Sequence, residues 1–393
     1  MPAERIVQQA ARVRHIDAFK VMEVQRRTHE LEAAGKRVIH MEIGQPDFGA
    51  PPAVVEAGVR ALQTRVLGYT DALGLPELRE ALSRHYAEDF GVTVEPGRVV
   101  ATAGASGALL LCLGALVNPG DEVLMADPGY PCYRHFVRLL DALPVGMPVD
   151  GDQHWQPGIA DLERHWSPRT RGLILASPSN PSGSVIGPAD LAHMAAWVRA
   201  RGGFLIVDEI YLGLVYGDAP GSALAAGEDI FVINSFSKYF CMTGWRLGWA
   251  VVPSAHLDAV ERLAQNLFIC PSAPAQYAAL AAFEPGSREL LDERREQYRV
   301  RRDWLVPRLR ELGFAAPTTP AGAFYVYAGL PAEHADAGST AFASRVLEQA
   351  LVALTPGTDF GLHGAERHVR FAYTRPLEEL QEGARRLQKF LRR

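Results

Sequence analysis

The 393-residue sequence predicts an α/β fold, in which helices cover both faces of a mostly parallel sheet. Short runs with β-branched residues, such as Val99–Thr102 and Phe204–Val207, alternate with segments of helical spacing. Most of these runs also end in a polar cluster that contains proline or glycine. Parallel strands place their carboxyl ends at one edge of a sheet, so we expect these clusters to meet there.

The composition argues against several classes of function. The chain is 48% apolar and 22% charged with a formal net charge of −5, so a basic face for nucleic acid is not expected. The four cysteines are widely spaced and no His-Glu-x-x-His motif occurs, so neither a disulfide framework nor a metal site is predicted. No apolar run of spanning length is present, and we predict a cytoplasmic protein without a membrane partner.

Residues 1–44 are predicted to form an N-terminal arm and a helix that packs with the C-terminal domain. Residues 21–34 place apolar side chains near helical spacing, and Gly35 is a typical helix stop. Residues 38–43 are predicted to be a short strand. Gly44 then opens a turn, where the missing side chain lets the backbone approach another group closely.

Residues 45–287 are predicted to form the large domain. A helix is expected from Pro51 to Thr64, and a loop that carries Tyr69 leads to another helix at Pro76. Further helices are expected after residues 104, 188 and 254. Six short runs are the predicted strands: Val99–Thr102, Glu122–Ala126, Gly172–Ala176, Phe204–Val207, Phe231–Ile233 and Leu247–Val252.

Residues 288–393 are predicted to form a smaller α+β domain. A long charged helix from Arg288 to Leu312, broken or bent near Pro307, would connect it to the large domain. Two strand-like segments are then predicted, one at residues 324–327 and one at residues 368–373, with a helix over residues 341–349 between them.

Lys238 is the most informative residue of the predicted sheet edge. Only four of the 40 basic Lys and Arg residues are lysines, and one of them follows the buried strand Phe231–Ile233. An amine can lose its proton, which guanidinium cannot do, so Lys238 is a candidate to form a Schiff base. Other side chains that follow strands and should share its edge are Ser106, Tyr130, Asn180, Asp208 and Tyr211.

Common nucleotide and hydrolase motifs do not explain this set. A P-loop is absent, and the glycines of residues 104–107 lack the dinucleotide-binding spacing. Ser235-Phe-Ser-Lys238 matches the S-x-x-K of penicillin-binding enzymes, but their other motifs are missing and this serine ends a strand. Pyridoxal phosphate fits better, because its aldehyde, ring nitrogen, phenolic oxygen and phosphate each require a different partner.

Nine short motifs occur in an order that resembles the class I/II aminotransferases, the aspartate-aminotransferase-like superfamily of fold type I. The resemblance extends from Phe19 to Tyr373. It implies a seven-stranded, mostly parallel sheet in the large domain, a pyridoxal 5'-phosphate cofactor and a homodimer with shared active sites. The motifs are Gly44-Gln-Pro-Asp, Tyr69-Thr, Ala105-Ser-Gly-Ala-Leu, Pro128-Gly-Tyr-Pro, Asn180-Pro-Ser-Gly, Asp208-Glu-Ile-Tyr, Ser235-Phe-Ser-Lys, Arg246-Leu-Gly and Val369-Arg.

The resemblance implies a role for each residue around the cofactor ring. Lys238 would hold the cofactor as an imine and, once displaced, move the proton between substrate Cα and the cofactor. Asp208 would pair with the ring nitrogen and keep it protonated. Tyr211 and Asn180 would bind the phenolic oxygen, and Tyr130 would stack on the ring.

The phosphate is expected at a helix N-terminus, where backbone N–H groups point outward. By resemblance, this site comprises Ser106 with the backbone of Ala105 and Gly107, then Ser235 and Arg246, and finally Tyr69 supplied by the neighbouring subunit.

Arg370 would bind the substrate α-carboxylate, assisted by Asn180 and the Gly44 backbone. Phe19, Tyr327 and Phe360 are assigned to an apolar pocket for the substrate side chain. One bacterial subgroup of the family has a lysine for a distal carboxylate at the position of Ser106, and this chain lacks it.

The predicted reaction is ping-pong amino transfer between a 2-oxo acid and an L-α-amino acid whose side chain is neutral, apolar or aromatic. Two alternatives remain open from the residues. A C–S lyase or another eliminase would use the same residues, because they do not fix the fate of the Cα carbanion. A non-catalytic regulator that binds pyridoxal phosphate is the alternative from another class of protein, although residues 1–40 lack a helix-turn-helix pattern.

Overall fold

The computed structural model describes residues 7–218 and 220–392, so part of the predicted N-terminal arm, residues 1–6, lies outside the described chain. Its strands are β1 (Ile39–His40), β2 (Val99–Thr102), β3 (Glu122–Asp127), β4 (Leu143–Pro148), β5 (Thr170–Ala176), β6 (Phe204–Asp208), β7 (Phe231–Ser235), β8 (Gly248–Val251), β9 (Tyr325–Gly329), β10 (Val352–Ala353), β11 (Thr355–Pro356) and β12 (His368–Ala372).

The helices follow the predicted alternation with the strands. They are α1 (Lys20–Ala33), α2 (Pro52–Thr64), α3 (Pro76–Phe90), α4 (Gly104–Leu116), α5 (Pro131–Leu139), α6 (Ile159–His165), α7 (Pro188–Arg199), α8 (Leu257–Leu267), α9 (Ala273–Ala279), α10 (Pro285–Glu311), α11 (Ser339–Ala350) and α12 (Leu377–Leu391). Several begin with proline, which lacks the N–H group that a first helical residue leaves unpaired. No helix in the described part of the chain is long and apolar enough to cross a membrane.

Seven strands form the main sheet in the order β2-β8-β7-β6-β5-β3-β4. Only β8 runs antiparallel to its neighbours, which confirms the predicted α/β fold with a mostly parallel sheet. Successive residues of β5, β6 and β7 contribute to two separate hydrophobic clusters, one on each face. Leu173 and Val207 lie on one face, while Ile174 and Ile206 lie on the other. Burial on both faces explains why these strands read as continuous apolar runs.

The smaller C-terminal part contains the antiparallel sheet β11-β12-β9. The N-terminal segment contacts this part, because β1 pairs in parallel with β10 at Ile39 and Val352. The strand β1 is shorter than the predicted residues 38–43. The domain limits 1–44, 45–287 and 288–393 remain predictions.

Of the predicted break or bend near Pro307, the break is absent, because α10 runs unbroken through Pro307. Pro307 lies on an exposed position of the helix. The carbonyl group that loses its N–H partner there can therefore bond to water, which lowers the cost of proline inside a helix.

A buried ion pair joins α10 to the loop after β1. Arg301 Nη1 donates to Asp47 Oδ1 at 2.9 Å, and the two side chains are only 6% and 9% exposed. The Tyr298 hydroxyl donates to the same oxygen at 3.1 Å. Removing one member of such a pair leaves the other charge buried without compensation.

We expect Asp47→Ala to lower the free energy of unfolding by about 3 kcal/mol, because it leaves the Arg301 charge buried without a partner. Glu311→Ala is the matched control, since it removes an exposed pair with Arg308 and should cost less than about 1 kcal/mol. Urea unfolding followed by circular dichroism measures both values. Equal losses in the two variants would contradict this account of the buried pair.

Candidate active site

A cavity of about 360 Å³ opens at the carboxyl edge of the main sheet, and residues of α1, β9 and β12 also line it. Its volume falls in the usual range of small-molecule sites. Eleven residues predicted from the sequence line it: Phe19, Gly44, Ala105, Ser106, Tyr130, Asn180, Asp208, Tyr211, Lys238, Arg246 and Arg370.

Lys238 follows β7 and directs its amine into this cavity. Its Nζ donates to the backbone carbonyl of Gly44 at 2.5 Å. Burial lowers the pKa of the Lys238 amine to about 8, and the Arg370 and Arg246 cations act in the same direction. A larger fraction of this amine is therefore neutral near pH 7 than for an ordinary lysine.

Asp208 is the last residue of β6, and its side chain is 3% exposed. The Tyr133 hydroxyl donates to Oδ2 at 2.6 Å, and the Ile210 N–H donates to Oδ1 at 3.0 Å. Burial raises the pKa of Asp208 to about 6 despite these hydrogen bonds and the nearby Lys238 cation. The carboxylate is thus held in position and would gain from a cationic partner in the cavity.

Tyr133 and Tyr325 also line the cavity, and the sequence reasoning missed both. The hydroxyls of Tyr325 and Tyr211 are 2.8 Å apart. A Cβ at position 44 would overlap the Tyr325 hydroxyl, so the turn that predicted a close backbone approach does require glycine.

Arg370 lies on β12 and is 3% exposed. Its Nη1 donates to Asn180 Oδ1 at 2.8 Å, and its Nη2 donates to the Glu42 carbonyl at 2.6 Å. Its guanidinium lies 4.2 Å from the Tyr325 ring centroid. Nε has no hydrogen-bond partner within the described residues. A buried guanidinium in a cavity wall suits a carboxylate ligand, which it can bind through two N–H groups.

Another part of the cavity wall combines a helix N-terminus with a cation. The 13-residue helix α4 begins at Gly104, and Ala105 and Ser106 of its first turn line the wall. A Cβ at position 104 would lie 2.7 Å from Arg246 Nη2, so the glycine lets the guanidinium approach. Outward-pointing N–H groups beside an arginine form a site for an anion.

The cavity lining does not include three further residues of the predicted phosphate site: Ser235, Gly107 and Tyr69. Ser235 is 1% exposed and donates to the Leu247 carbonyl at 3.0 Å, while its neighbour Ser237 lines the cavity instead. Gly107 is buried within the first turns of α4. Tyr69 is 82% exposed in this single chain, so its predicted role in a neighbouring subunit stays a prediction.

The structure places Phe360 beside Arg370 and outside the lining of this cavity. Its ring lies 4.8 Å from the Arg370 guanidinium and packs with Tyr327 and Trp155. Neither Phe360 nor Tyr327 lines the cavity, because both belong to a separate buried cluster. Phe360 supports Arg370 and also lines a neighbouring cavity that shares Tyr130 with this one, so its place in the substrate pocket stays a prediction.

Comparison with known proteins gives a consistent assignment. Residues 36–387 match the family model described as aminotransferase class I and II. A valine–pyruvate aminotransferase from Mycobacterium tuberculosis is 40% identical over 96% of this chain and 97% of its own. A (5-formylfuran-3-yl)methyl phosphate transaminase from Methanocaldococcus jannaschii is 34% identical over 97% of this chain and 98% of its own.

Solved structures agree with the sequence relatives. The crystal structure of an aminotransferase from Mycobacterium tuberculosis has a TM-score of 0.94 and 39% identity, covering 98% of this chain and all of that one. The chain therefore belongs to the class I and II aminotransferase family. It is an enzyme that transfers amino groups.

The lowered pKa of Lys238 leads to a direct test in the cofactor-free protein. With only four lysines, carbon-13 NMR of labelled lysine side chains should resolve each Cε resonance. We expect the Lys238 resonance, assigned by its loss in Lys238→Ala, to titrate with a midpoint near pH 8 because burial disfavours the charged amine. Arg370→Met should move the midpoint upward. A midpoint above about 10, the ordinary lysine range, would contradict the electrostatic account.

Proposed function

We propose that this enzyme uses pyridoxal 5'-phosphate to move the amino group of a neutral L-α-amino acid to a 2-oxo acid by a ping-pong mechanism. The observation that carries the proposal is one cavity that holds the Lys238 amine, the buried Asp208 carboxylate and the buried Arg370 guanidinium. These groups suit an aldehyde, a protonated ring nitrogen and a substrate carboxylate.

The cavity residues fit each part of the cofactor. The Lys238 amine is the partner for the aldehyde, and Asp208 is the partner for the ring nitrogen. The Tyr211 hydroxyl and Asn180 amide suit the phenolic oxygen. The N-terminus of α4 with Arg246 suits the phosphate. When bound, the cofactor supplies an electron sink that stabilises negative charge on the substrate Cα.

Arg370, Lys238 and Asp208 then have separate roles in the reaction. Arg370 binds the substrate α-carboxylate and orients the Cα–H bond, using the rigid support of Asn180 and Glu42. Lys238, with its pKa near 8, would move the proton from the substrate Cα to the cofactor. Asp208 stays anionic beside a protonated ring nitrogen, because the positive charge offsets the cost of its burial.

The distribution of charge around the cavity supports a neutral substrate side chain. Among the described residues, the cations that line it are Lys238, Arg246 and Arg370. Each already has a role: Lys238 is the reactive amine, Arg246 binds the phosphate and Arg370 binds the α-carboxylate. A second substrate carboxylate would therefore enter the cavity without a cation to pair with it. The relative named valine–pyruvate aminotransferase agrees with a neutral donor, and the named transaminases favour transfer over elimination.

We also propose a homodimer in which Tyr69 completes the phosphate site of the neighbouring subunit. Tyr69 is exposed in the single chain, close in sequence to exposed apolar side chains of α2 and the following loop. An apolar surface of this kind is typical of a contact with another protein chain. The surface includes Val55, Val59, Leu62 and Val66. The cytoplasmic location stays a prediction.

The central test is Lys238→Ala. We expect this variant to lose about 10³-fold or more in turnover, because it lacks the group that carries the Cα proton. The half-reaction is followed by visible absorbance when one amino acid is added to purified enzyme, and a 2-oxo acid should reverse the change. Lys36→Ala, at an exposed lysine, is the control and should keep wild-type activity.

Two outcomes would refute the proposed function. Wild-type turnover in Lys238→Ala would exclude the assigned lysine. Release of ammonia or thiol without the reversible absorbance change would indicate elimination instead of amino transfer.

The shared phosphate site predicts an effect at an exposed tyrosine. Tyr69→Phe should raise the dissociation constant of the cofactor by about tenfold, since it removes a hydrogen bond to a charged group. Fluorescence titration of cofactor-free protein measures the constant, and sedimentation equilibrium measures the oligomeric state. A monomeric wild-type enzyme, or an unchanged dissociation constant in the variant, would contradict the shared site.

A further inference from the structure

The helix α1 begins without a capping side chain from its own N-terminal neighbour, Phe19. A distant residue supplies that cap. Asp359 Oδ1 accepts the backbone N–H of Lys20, the first residue of α1, at 2.8 Å across 339 positions of sequence. Asp359 is 2% exposed, so water competes little for this hydrogen bond. A carboxylate at this position also interacts favourably with the helix dipole.

The start of α1 forms one wall of the catalytic cavity. Four residues at this end line the cavity: Phe19, which precedes the helix, and Val21, Met22 and Gln25 of its first two turns. In the proposed function, Lys238 acts on Cα and Arg370 holds the α-carboxylate. The residues proposed to bind the cofactor lie at the sheet edge. The remaining wall is α1, so the substrate side chain faces this helix.

Asp359 also belongs to the segment that supports Arg370. Thr355 Oγ1 accepts a hydrogen bond from Arg370 Nη2 at 3.3 Å, and Phe360 lies 4.8 Å from the guanidinium. The backbone carbonyl of Asp359 is itself fixed, because it accepts from Arg134 Nη2 at 2.8 Å. Asp359, which caps α1, is therefore held in a fixed position relative to Arg370, which binds the α-carboxylate.

We infer that Asp359 is a positioning residue for substrate selection. Its carboxylate fixes the start of α1 relative to Arg370, and so sets the space available to the donor side chain. This inference rests on the proposed function, because it uses the assigned place of the α-carboxylate. It predicts that Asp359 matters little for a short side chain and progressively more for one long enough to contact α1.

The test is a series of unbranched donors: L-alanine, L-2-aminobutyrate, L-norvaline and L-norleucine. For Asp359→Ala we expect kcat/KM to fall less than about twofold with L-alanine and about tenfold with L-norleucine, the size of effect a lost helix cap can produce. The loss should lie mainly in KM. Asp359→Asn should restore the wild-type pattern, because the amide oxygen caps a helix as well as a carboxylate does.

Two variants at Lys20 keep Asp359 and separate the effect of the Lys20 backbone N–H from that of its side chain. Lys20→Pro deletes the N–H that Asp359 accepts, at a first helical position where proline is well tolerated. The extended backbone of Phe19 also suits a following proline. Lys20→Pro should show the same dependence on chain length as Asp359→Ala. Lys20→Ala keeps the N–H and should behave as wild type.

Asp161→Ala controls for the general loss of a buried cap. Asp161 is 3% exposed and accepts from Gly158 N at the start of α6, and it is not among the residues that line the catalytic cavity. It should lower the melting temperature without any dependence on donor length. An equal loss for all donors in Asp359→Ala and Lys20→Pro would overturn the inference, as would failure of Asp359→Asn to restore selectivity. A wild-type enzyme that transaminates no donor would refute the proposed function itself.

Discussion

The rest of the site depends on a lysine amine whose pKa is lowered toward neutral pH by burial and by nearby cations. Lys238 follows a buried strand, where burial and the Arg370 and Arg246 cations disfavour its protonated form, while Asp208 opposes them. Keeping these groups out of water costs stability, which the large hydrophobic clusters on both faces of the sheet offset. The fold thus supplies the rigid frame that such an arrangement needs.

The site is assembled from both parts of the chain. The main sheet contributes Lys238, Asp208 and Asn180 from the ends of neighbouring strands. The small sheet contributes Arg370 of β12 and Tyr325 of β9, whose guanidinium and ring lie 4.2 Å apart. They contact Asn180 and Tyr211, which follow strands of the main sheet. The geometry of the cavity therefore follows from how the C-terminal and N-terminal segments pack over the sheet edge.

The sequence predicted eleven of the residues that line the cavity, because polar residues that follow parallel strands converge at one edge of the sheet. Tyr325 was missed, since its contact with Tyr211 joins positions 114 residues apart and has no local signal. Tyr133 had a signal that was overlooked: it lies three residues after Tyr130, where α5 begins, and so on the same side of the helix. The edge strand β4 was missed because its sequence, Leu-Pro-Val-Gly-Met-Pro, contains residues that are unfavourable in strands.

The central claim is that Lys238 alone bonds the cofactor. The most direct measurement is borohydride reduction of the purified enzyme, followed by peptide mass spectrometry of its four lysine positions. The account predicts a phosphopyridoxyl group on Lys238, and its loss when an amino acid donor is added before reduction. A modification at Lys20, Lys36 or Lys389 in place of Lys238, or no modification at all, would contradict it.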